Sequence, residues 1–209
     1  MIKHVIFDFD GTIVDSRYLA VELLNELAEK YHFRKIKDTE FEKLRNLSIT
    51  ERCRALHVPL YLIPLVVAEL ILKYQKSVNS LPTYAGIKDI ISRLKEKGFK
   101  LSIISSNSTE NIRLFLKRNH INNFDSIYSS NFITGKEGAI MTFLRNHNLK
   151  RDEVVYIGDE CRDIIACKKN KVKIIAVSWG YDSIELLTGE NPDYIARNPR
   201  ELYNLIARA

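Results

Sequence analysis

From Pro82 onward the sequence alternates short apolar runs with amphipathic segments, and this alternation narrows the possible folds more than any other feature. Residues 99–104, 154–157 and 172–177 are β-prone and almost wholly apolar, the pattern of strands buried on both faces. A shorter strand is predicted near 126–128. Between these runs, helical periodicity covers 87–97, 108–118, 137–147 and 162–169, with Gly98 in the stop position of the first. Asn198-Pro199-Arg200-Glu201 places a cap residue, a proline and an acid in the order that opens a last helix. Strands regularly separated by helices predict an α/β protein, a Rossmann-like parallel sheet with helices on both faces.

One strand of that sheet lies far upstream. Val5-Ile6-Phe7 is apolar and β-prone, and the strand is expected to run on to Asp10. Residues 16–81 then carry only helical signals. Leu19, Leu23, Leu24, Leu27 and Tyr31 recur at helical spacing behind Ser16, and Ser48-Ile49-Thr50-Glu51 has the form of a capping box. Residues 60–76 read as one long apolar helix, buried, with Pro64 near its first turn. The expected organisation is a core domain of residues 1–15 and 82–209, with 16–81 inserted as an all-helical cap. Open α/β sheets bind ligands at the carboxyl ends of their strands, and the cap would cover that edge.

The chemistry is concentrated at those ends. In Val5-Ile6-Phe7-Asp8-Phe9-Asp10-Gly11-Thr12 the alternation of a strand sends Asp8 and Asp10 to one side and Phe7 and Phe9 to the other. Two carboxylates brought within about 4 Å repel by roughly 4 kcal/mol at an effective dielectric near 20. A chain keeps such a pair where a cation, a shared proton or a ligand offsets the repulsion. Gly11 permits a sharp turn, and Thr12 adds a hydroxyl where an anion could sit. Ser105-Ser106-Asn107 follows the strand at 99–104, and Gly135-Lys136 precedes a helix. After the strand at 154–157 comes Gly158-Asp159, then Asp163 four residues on, in the first turn of the next helix and facing the same way.

Composition sets outer limits. A chain of 209 residues buries a sizeable core. Lys and Arg number 32 against 26 Asp and Glu, a formal charge of +6 that favours anionic ligands. The basic residues are scattered, and the densest group, at 168–173, reads as a solvated helix end, so no nucleic-acid partner is expected. Cys53, Cys161 and Cys167 have no paired-ligand spacing and suggest reduced thiols in a cytoplasmic protein. Nothing at the N-terminus looks like a signal peptide, and the apolar stretch 60–72 falls short of the ~20 residues that span a bilayer, so no membrane partner is expected.

These residues resemble the four motifs of the haloacid dehalogenase superfamily of phosphotransferases, in order and over the whole chain. Asp8 and Asp10 match the first motif, Ser106 the second, Lys136 the third, and Asp159 with Asp163 the fourth. Ser105 is the alternative at the second. The helical insert resembles the small-capped branch that contains phosphoglycolate phosphatase-like enzymes. The resemblance implies a magnesium-dependent phosphatase of a small phosphorylated metabolite. Asp8 would be the nucleophile and Asp10 the general acid and base. Asp8, Asp10 (by its carbonyl), Asp159 and Asp163 would hold Mg2+, the last through water or by orienting that shell. Gly11, Thr12, Ser106, Asn107 and Lys136 would hold the phosphoryl group. Dehalogenases of this fold lack an acid at the position of Asp10, which argues against dehalogenation.

The same motifs allow a phosphosugar mutase, or a phosphate-binding regulatory protein without catalysis. A receiver domain shares the clustered acids and a lysine, but the insert after the first strand argues against it. Arg17, Arg45, Arg52 and Arg54 are candidates for gripping a second anionic group on the substrate. Glu160, Cys161, Glu137 and the 169–171 segment depart from the usual pattern, and Cys161 beside the metal would make activity sensitive to oxidation. Both a monomer and a homodimer remain open.

Overall fold

A computed structural model describes residues 2–77, 81–130 and 135–208. Its sheet has six strands, all parallel, in the order β3-β2-β1-β4-β5-β6. The strands are β1 (His4–Phe7), β2 (Lys100–Ser105), β3 (Ser126–Ser129), β4 (Val154–Gly158), β5 (Lys173–Val177) and β6 (Tyr194–Ala196). Phe7 aligns with Ile103 on one side and Ile157 on the other, so β1 is central and its carboxyl end is level with those of β2 and β4. The chain builds outward through β2 and β3 and then crosses β1 to start β4. The order therefore reverses between β1 and β4, the crevice where such sheets place ligands.

Ten helices complete the described residues: α1 (Arg17–Tyr31), α2 (Phe41–Arg45), α3 (Ile49–Ala55), α4 (Ile63–Ser77), α5 (Ile87–Glu96), α6 (Thr109–Arg118), α7 (Gly135–Asn146), α8 (Cys161–Asn170), α9 (Ile184–Gly189) and α10 (Pro199–Arg208). Alternation along the strands divides the core. Val5, Phe7, Ile103 and Ile157 pack on one face with α5, α6 and α10, while Ile6, Ile104 and Tyr156 pack on the other with α7 and α8. The predicted α/β sandwich is thus the observed one. Gly98, at φ +86°, closes α5 as expected, and Asn198 caps α10 by accepting from the Glu201 amide.

Three details differ from the sequence reading. The first strand stops at Phe7, because the chain turns at Asp8 to enter the loop that builds the site. The short elements α9 and β6 carry too few residues to show a period. The third difference concerns the apolar helix. Residues Leu60–Leu62 form a 3-10 turn before α4, and α4 is not buried all round. It packs on α1, antiparallel to it, through Glu26–Lys73 and Lys30–Glu69 ion pairs and a stripe of Leu62, Val66 and Leu70. Leu60, Tyr61, Leu65, Ile71 and Leu72 are exposed, since a few short helices can cover only one side of it. Among the described residues no single helix is long and apolar enough to cross a membrane.

His4 is the buried titratable group most distant from the strand tips. Its Nε2 lies 2.8 Å from the Ser102 hydroxyl, and its ring meets Phe143 edge-on. Burial, with the nearby His147, holds its pKa down to about 4. The unfolded ring titrates near its ordinary value of 6.5. Between those values the unfolded chain binds the extra proton, so stability falls as pH drops. Thermal midpoints should therefore decline through that window, and the decline should flatten in His4→Gln, which cannot titrate; equal slopes for the two proteins would remove His4 as the cause.

Candidate active site

Asp8 follows the last residue of the central strand, and its amide still donates to the Ile157 carbonyl at 2.8 Å, which holds it in line with β1. Its side chain is buried. Lys136, in the first turn of α7, is also buried and donates from Nζ to Asp8 Oδ2 at 2.6 Å and to Asp163 Oδ1. Asp163 sits in the first turn of α8, where its other oxygen accepts from the Glu160 amide at 3.2 Å. One ammonium therefore joins the tip of the central strand to two helices.

Burial pushes the Asp8 and Asp163 carboxyls up, and Lys136 opposes that shift at both. Burial also works against the charge on Lys136, but Asp163 and Asp8 hold its pKa above the ordinary lysine range. Asp8 Oδ1, the oxygen not used by Lys136, has no hydrogen-bond partner among the described residues. A buried carboxylate oxygen without a partner carries a full desolvation penalty.

Oxygens of Asp8, Glu160 and Asp163 lie within 4.8 Å of one another. Three carboxylates at that spacing, one with an unsatisfied oxygen, fit a hard divalent cation such as Mg2+. Glu160 enters this set unexpectedly. It is buried, and Arg162 and Lys136 hold its carboxyl below the ordinary range against the effect of burial. Asp159, expected to hold the metal with Asp8, is bonded to the neighbouring loops. Its Oδ1 accepts from the Thr12 hydroxyl and its Oδ2 from the Tyr181 amide, each at 2.8 Å. Burial and the surrounding charges of Glu160, Asp8 and Asp163 push its pKa far up. Gly11, at φ +78°, and Gly180 make room for it: a Cβ at either position would overlap the Asp159 carboxyl.

Asp10 follows Asp8 two residues on, in the loop after β1. Its carboxylate accepts from the Tyr74 hydroxyl of α4 and, at 3.2 Å, from the Asn107 side-chain amide. Burial raises its pKa to about 6, against the pull of those two donors. Tyr74 continues the stripe that Leu62, Val66 and Leu70 begin, so the α4 face packed against α1 ends on this acid.

The loop residues expected to face a phosphate are committed elsewhere. The Gly11 amide donates to the Val14 carbonyl at 3.0 Å, and the Thr12 hydroxyl is spent on Asp159. Ser106 has an exposed side chain, whereas Ser105 is buried at the end of β2 and accepts from the Asn107 amide at 3.1 Å. Cys161 is half-buried, with its thiol pushed up to about 12 by burial and Asp182.

Two of the four candidate arginines join the insert to the core. Arg45 donates to the carbonyls of Tyr181, Ser178 and Asp182, and its own carbonyl accepts from the Ser183 amide. Arg52 pairs with Asp182, whose other oxygen accepts from the Cys161 amide at 2.7 Å, at the start of α8. Arg17 pairs with Asp15, and Arg54 is exposed. Arg45 and Arg52 thus tie the helical insert to the 178–183 loop and, through Asp182, to the helix that carries Asp163. The connectors at either end of the insert are also tied, Asp15 to Pro82 and Tyr84 to Ile13 by backbone bonds of 3.0 Å. These contacts were not visible in sequence because each joins residues far apart in the chain.

Residues 5–177 match the family described as haloacid dehalogenase-like hydrolase, and the chain belongs to it. It is 28% identical to a phosphoglycolate phosphatase of Synechococcus elongatus, over 98% of this chain and 97% of the relative. It is 23% identical to the pyrophosphatase PpaX of Halalkalibacterium halodurans, over 98% and 97%. The crystal structure of a predicted phosphatase from Clostridium acetobutylicum superposes with a TM-score of 0.85 at 24% identity, covering both chains completely. A haloacid dehalogenase-like family protein of Streptococcus pneumoniae gives 0.82 at 21% identity, over 98% of each. These two likenesses establish the fold.

Arg52→Ala should lower the unfolding free energy by about 2 kcal/mol, the cost of losing hydrogen bonds made by a charged group. A urea titration reads this directly, and an unmoved midpoint would show that the Arg52–Asp182 contact does not hold the insert in place.

Proposed function

We propose that the protein is a magnesium-dependent phosphatase that hydrolyses a small phosphorylated metabolite through phospho-Asp8. The observation that carries this reading is the division of labour on Asp8: Lys136 occupies one oxygen, and the other, buried at the tip of the central strand, meets no donor among the described residues. The relatives named phosphoglycolate phosphatase and pyrophosphatase support the same class of chemistry.

In this reading Asp8 Oδ1 attacks phosphorus and expels the leaving oxygen, splitting hydrolysis into two easier steps. Lys136 fixes the attacking carboxylate and neutralises charge on the transferring phosphoryl group. Asp10 protonates the leaving oxygen, then takes a proton from the water that cleaves phospho-Asp8. A pKa near 6 leaves it able to do both close to neutrality. Asn107 positions Asp10, and the hydroxyl facing the phosphoryl group is assigned to Ser105, the buried residue at the strand tip, in place of the exposed Ser106. Bound Mg2+ would screen the negative charge between nucleophile and phosphate, held by Asp8, Asp163 and Glu160. Asp159 keeps the Thr12 and Tyr181 loops in place around them.

The deciding experiment is phosphate release from a panel of phosphorylated metabolites, with Mg2+ and with chelator, for wild type and Asp8→Asn. Metal-dependent release that vanishes in Asp8→Asn is the expected result. Rapid phosphorylation of Asp8 with little net release would instead indicate a mutase, and neither turnover nor trapping by beryllium fluoride would indicate a binding protein. Tyr74→Phe tests the acid. Tyr74 donates to the Asp10 carboxylate and so lowers its pKa; without that bond the pKa rises, and the basic limb of the kcat profile should move to higher pH. A limb that stays in place or moves to lower pH would exclude Asp10 as the acid.

A further inference from the structure

The helix α4 has two apolar faces, and α1 covers one of them. Val66 and Leu70 belong to the covered face. Ala68, two residues from each, lies roughly 200° around the helix from both, so it marks the centre of the opposite face. Leu65, Ile71 and Leu72 flank it, and Leu60 and Tyr61 in the turn before α4 extend the stripe. These five large side chains are 45% to 80% exposed. The charged residues of α4 avoid this face. Glu69 and Lys73 pair with Lys30 and Glu26 of α1, and Lys76 follows beyond Leu72.

At roughly 150 Å² for a large side chain, those fractions leave on the order of 500 Å² of hydrocarbon in water. A contiguous apolar patch of that size marks an interaction site more often than idle surface. Two such patches laid together bury about 1,000 Å², the area that a specific interface must clear, before any surrounding contact is added. The stripe is also complementary to itself. About a two-fold axis at Ala68, an antiparallel pair of α4 helices sets Leu65 of each copy against Leu72 of the other, and Pro64 against Ile71. Large residues stand three and four positions to either side, and the small one at the centre lets the helices approach. A membrane surface would call for cations along the border of the stripe. Lys73, on α4, is instead paired with Glu26 on the flank toward α1.

We propose that a second copy of this chain covers this face, forming a homodimer in which the two α4 helices cross at Ala68. The inference stands apart from the phosphatase reading, because none of its residues belongs to the acidic cluster. It bears on that cluster all the same. The same helix carries Tyr74 to Asp10, so each copy steadies from outside the helix that touches the other's candidate acid.

The test is sedimentation equilibrium of the full chain over a range of micromolar concentrations, for wild type, Leu65→Glu and Leu72→Glu. The wild type should have the mass of a dimer. Each substitution appears twice in the interface and places a charge in it, so each should raise the dissociation constant by about a hundredfold or more. Both positions are exposed in one copy, so an unchanged circular-dichroism melt is expected of the monomeric variants, and either folded variant suffices. Under oxidant, Ala68→Cys should form a disulfide-linked dimer well beyond the background from Cys53, Cys161 and Cys167 in the wild type. A wild type that stays monomeric overturns the inference. So does a dimer that neither glutamate weakens, which places the contact elsewhere. A dimer weakened by both but not linked through Ala68→Cys overturns the crossing at Ala68. A monomer that sediments with vesicles of phosphatidylcholine and phosphatidylserine, and loses this in Leu72→Glu, overturns the second copy in favour of a membrane surface.

Discussion

The contact on which the site depends is the Lys136 ammonium held between Asp8 and Asp163 in the protein interior. A buried charge is tolerated only when it is paired and bonded, and removing one partner leaves the others uncompensated. That requirement explains why three distant segments converge. The strand order puts Asp8 at the reversal point, and α7 and α8 pack on the same face of the sheet to deliver Lys136 and Asp163. With Asp10, Asp159 and Glu160 nearby and Arg162 the other cation, carboxylates outnumber bases. The local excess of negative charge stands out in a chain of net charge +6. Its stability in the interior depends on protons, or on a hard cation that takes their place.

The helical insert is fastened to this cluster at three points of different chemistry. Its connectors pair through backbone hydrogen bonds, its arginines grip the 178–183 loop, and Tyr74 touches Asp10. Each fastening reaches a loop or side chain that also touches a catalytic group. Asp182 shows this most directly, since one carboxylate oxygen takes Arg52 and the other takes the first amide of α8. A shift of the insert that pulled on Arg52 would be felt at the helix end that orients Asp163. Coupling of this kind needs no long pathway, only one acid bonded on both sides.

Much of the core was legible in sequence because its signals are local. Apolar runs of strand length, caps such as Ser48 with Glu51, and the stop at Gly98 need no tertiary context. The identity of the cluster residues was equally local for Asp8, Lys136 and Asp163. What each does with its charge was not. Asp159 and Glu160 are adjacent, and the bonds that Asp159 makes go to Thr12 and the Tyr181 amide, which no local signal announces. Ser105 and Ser106 pose the same question, for a one-residue difference at a strand end exchanges a buried side chain for an exposed one. Arg45 looked like a free cation because three of its partners are carbonyls of a loop more than a hundred residues away, which leave no trace in composition, and Arg52 because its acid, Asp182, is equally distant. The long apolar helix misled in the opposite way. Its composition suits burial, but the insert has too little mass to surround it.

The acidic cluster and the helical insert come from different parts of this chain. The groups around Asp8 can contact only the phosphoryl group and what bridges it to the protein, and these groups come from the sheet edge that the family shares. The insert reaches that edge through Tyr74 on α4, which meets Asp10, and through Arg45 and Arg52, which hold the 178–183 loop. Here the arginines hold the insert down, and the space between α1 and α4 is hydrocarbon. An identity of 28% to a phosphatase of a small polar acid, spread over the whole length, can preserve the first set of contacts while the second diverges. Arg45 gives Nε and one terminal nitrogen to three carbonyls of the loop that steadies Asp159, and its other terminal nitrogen to Glu42.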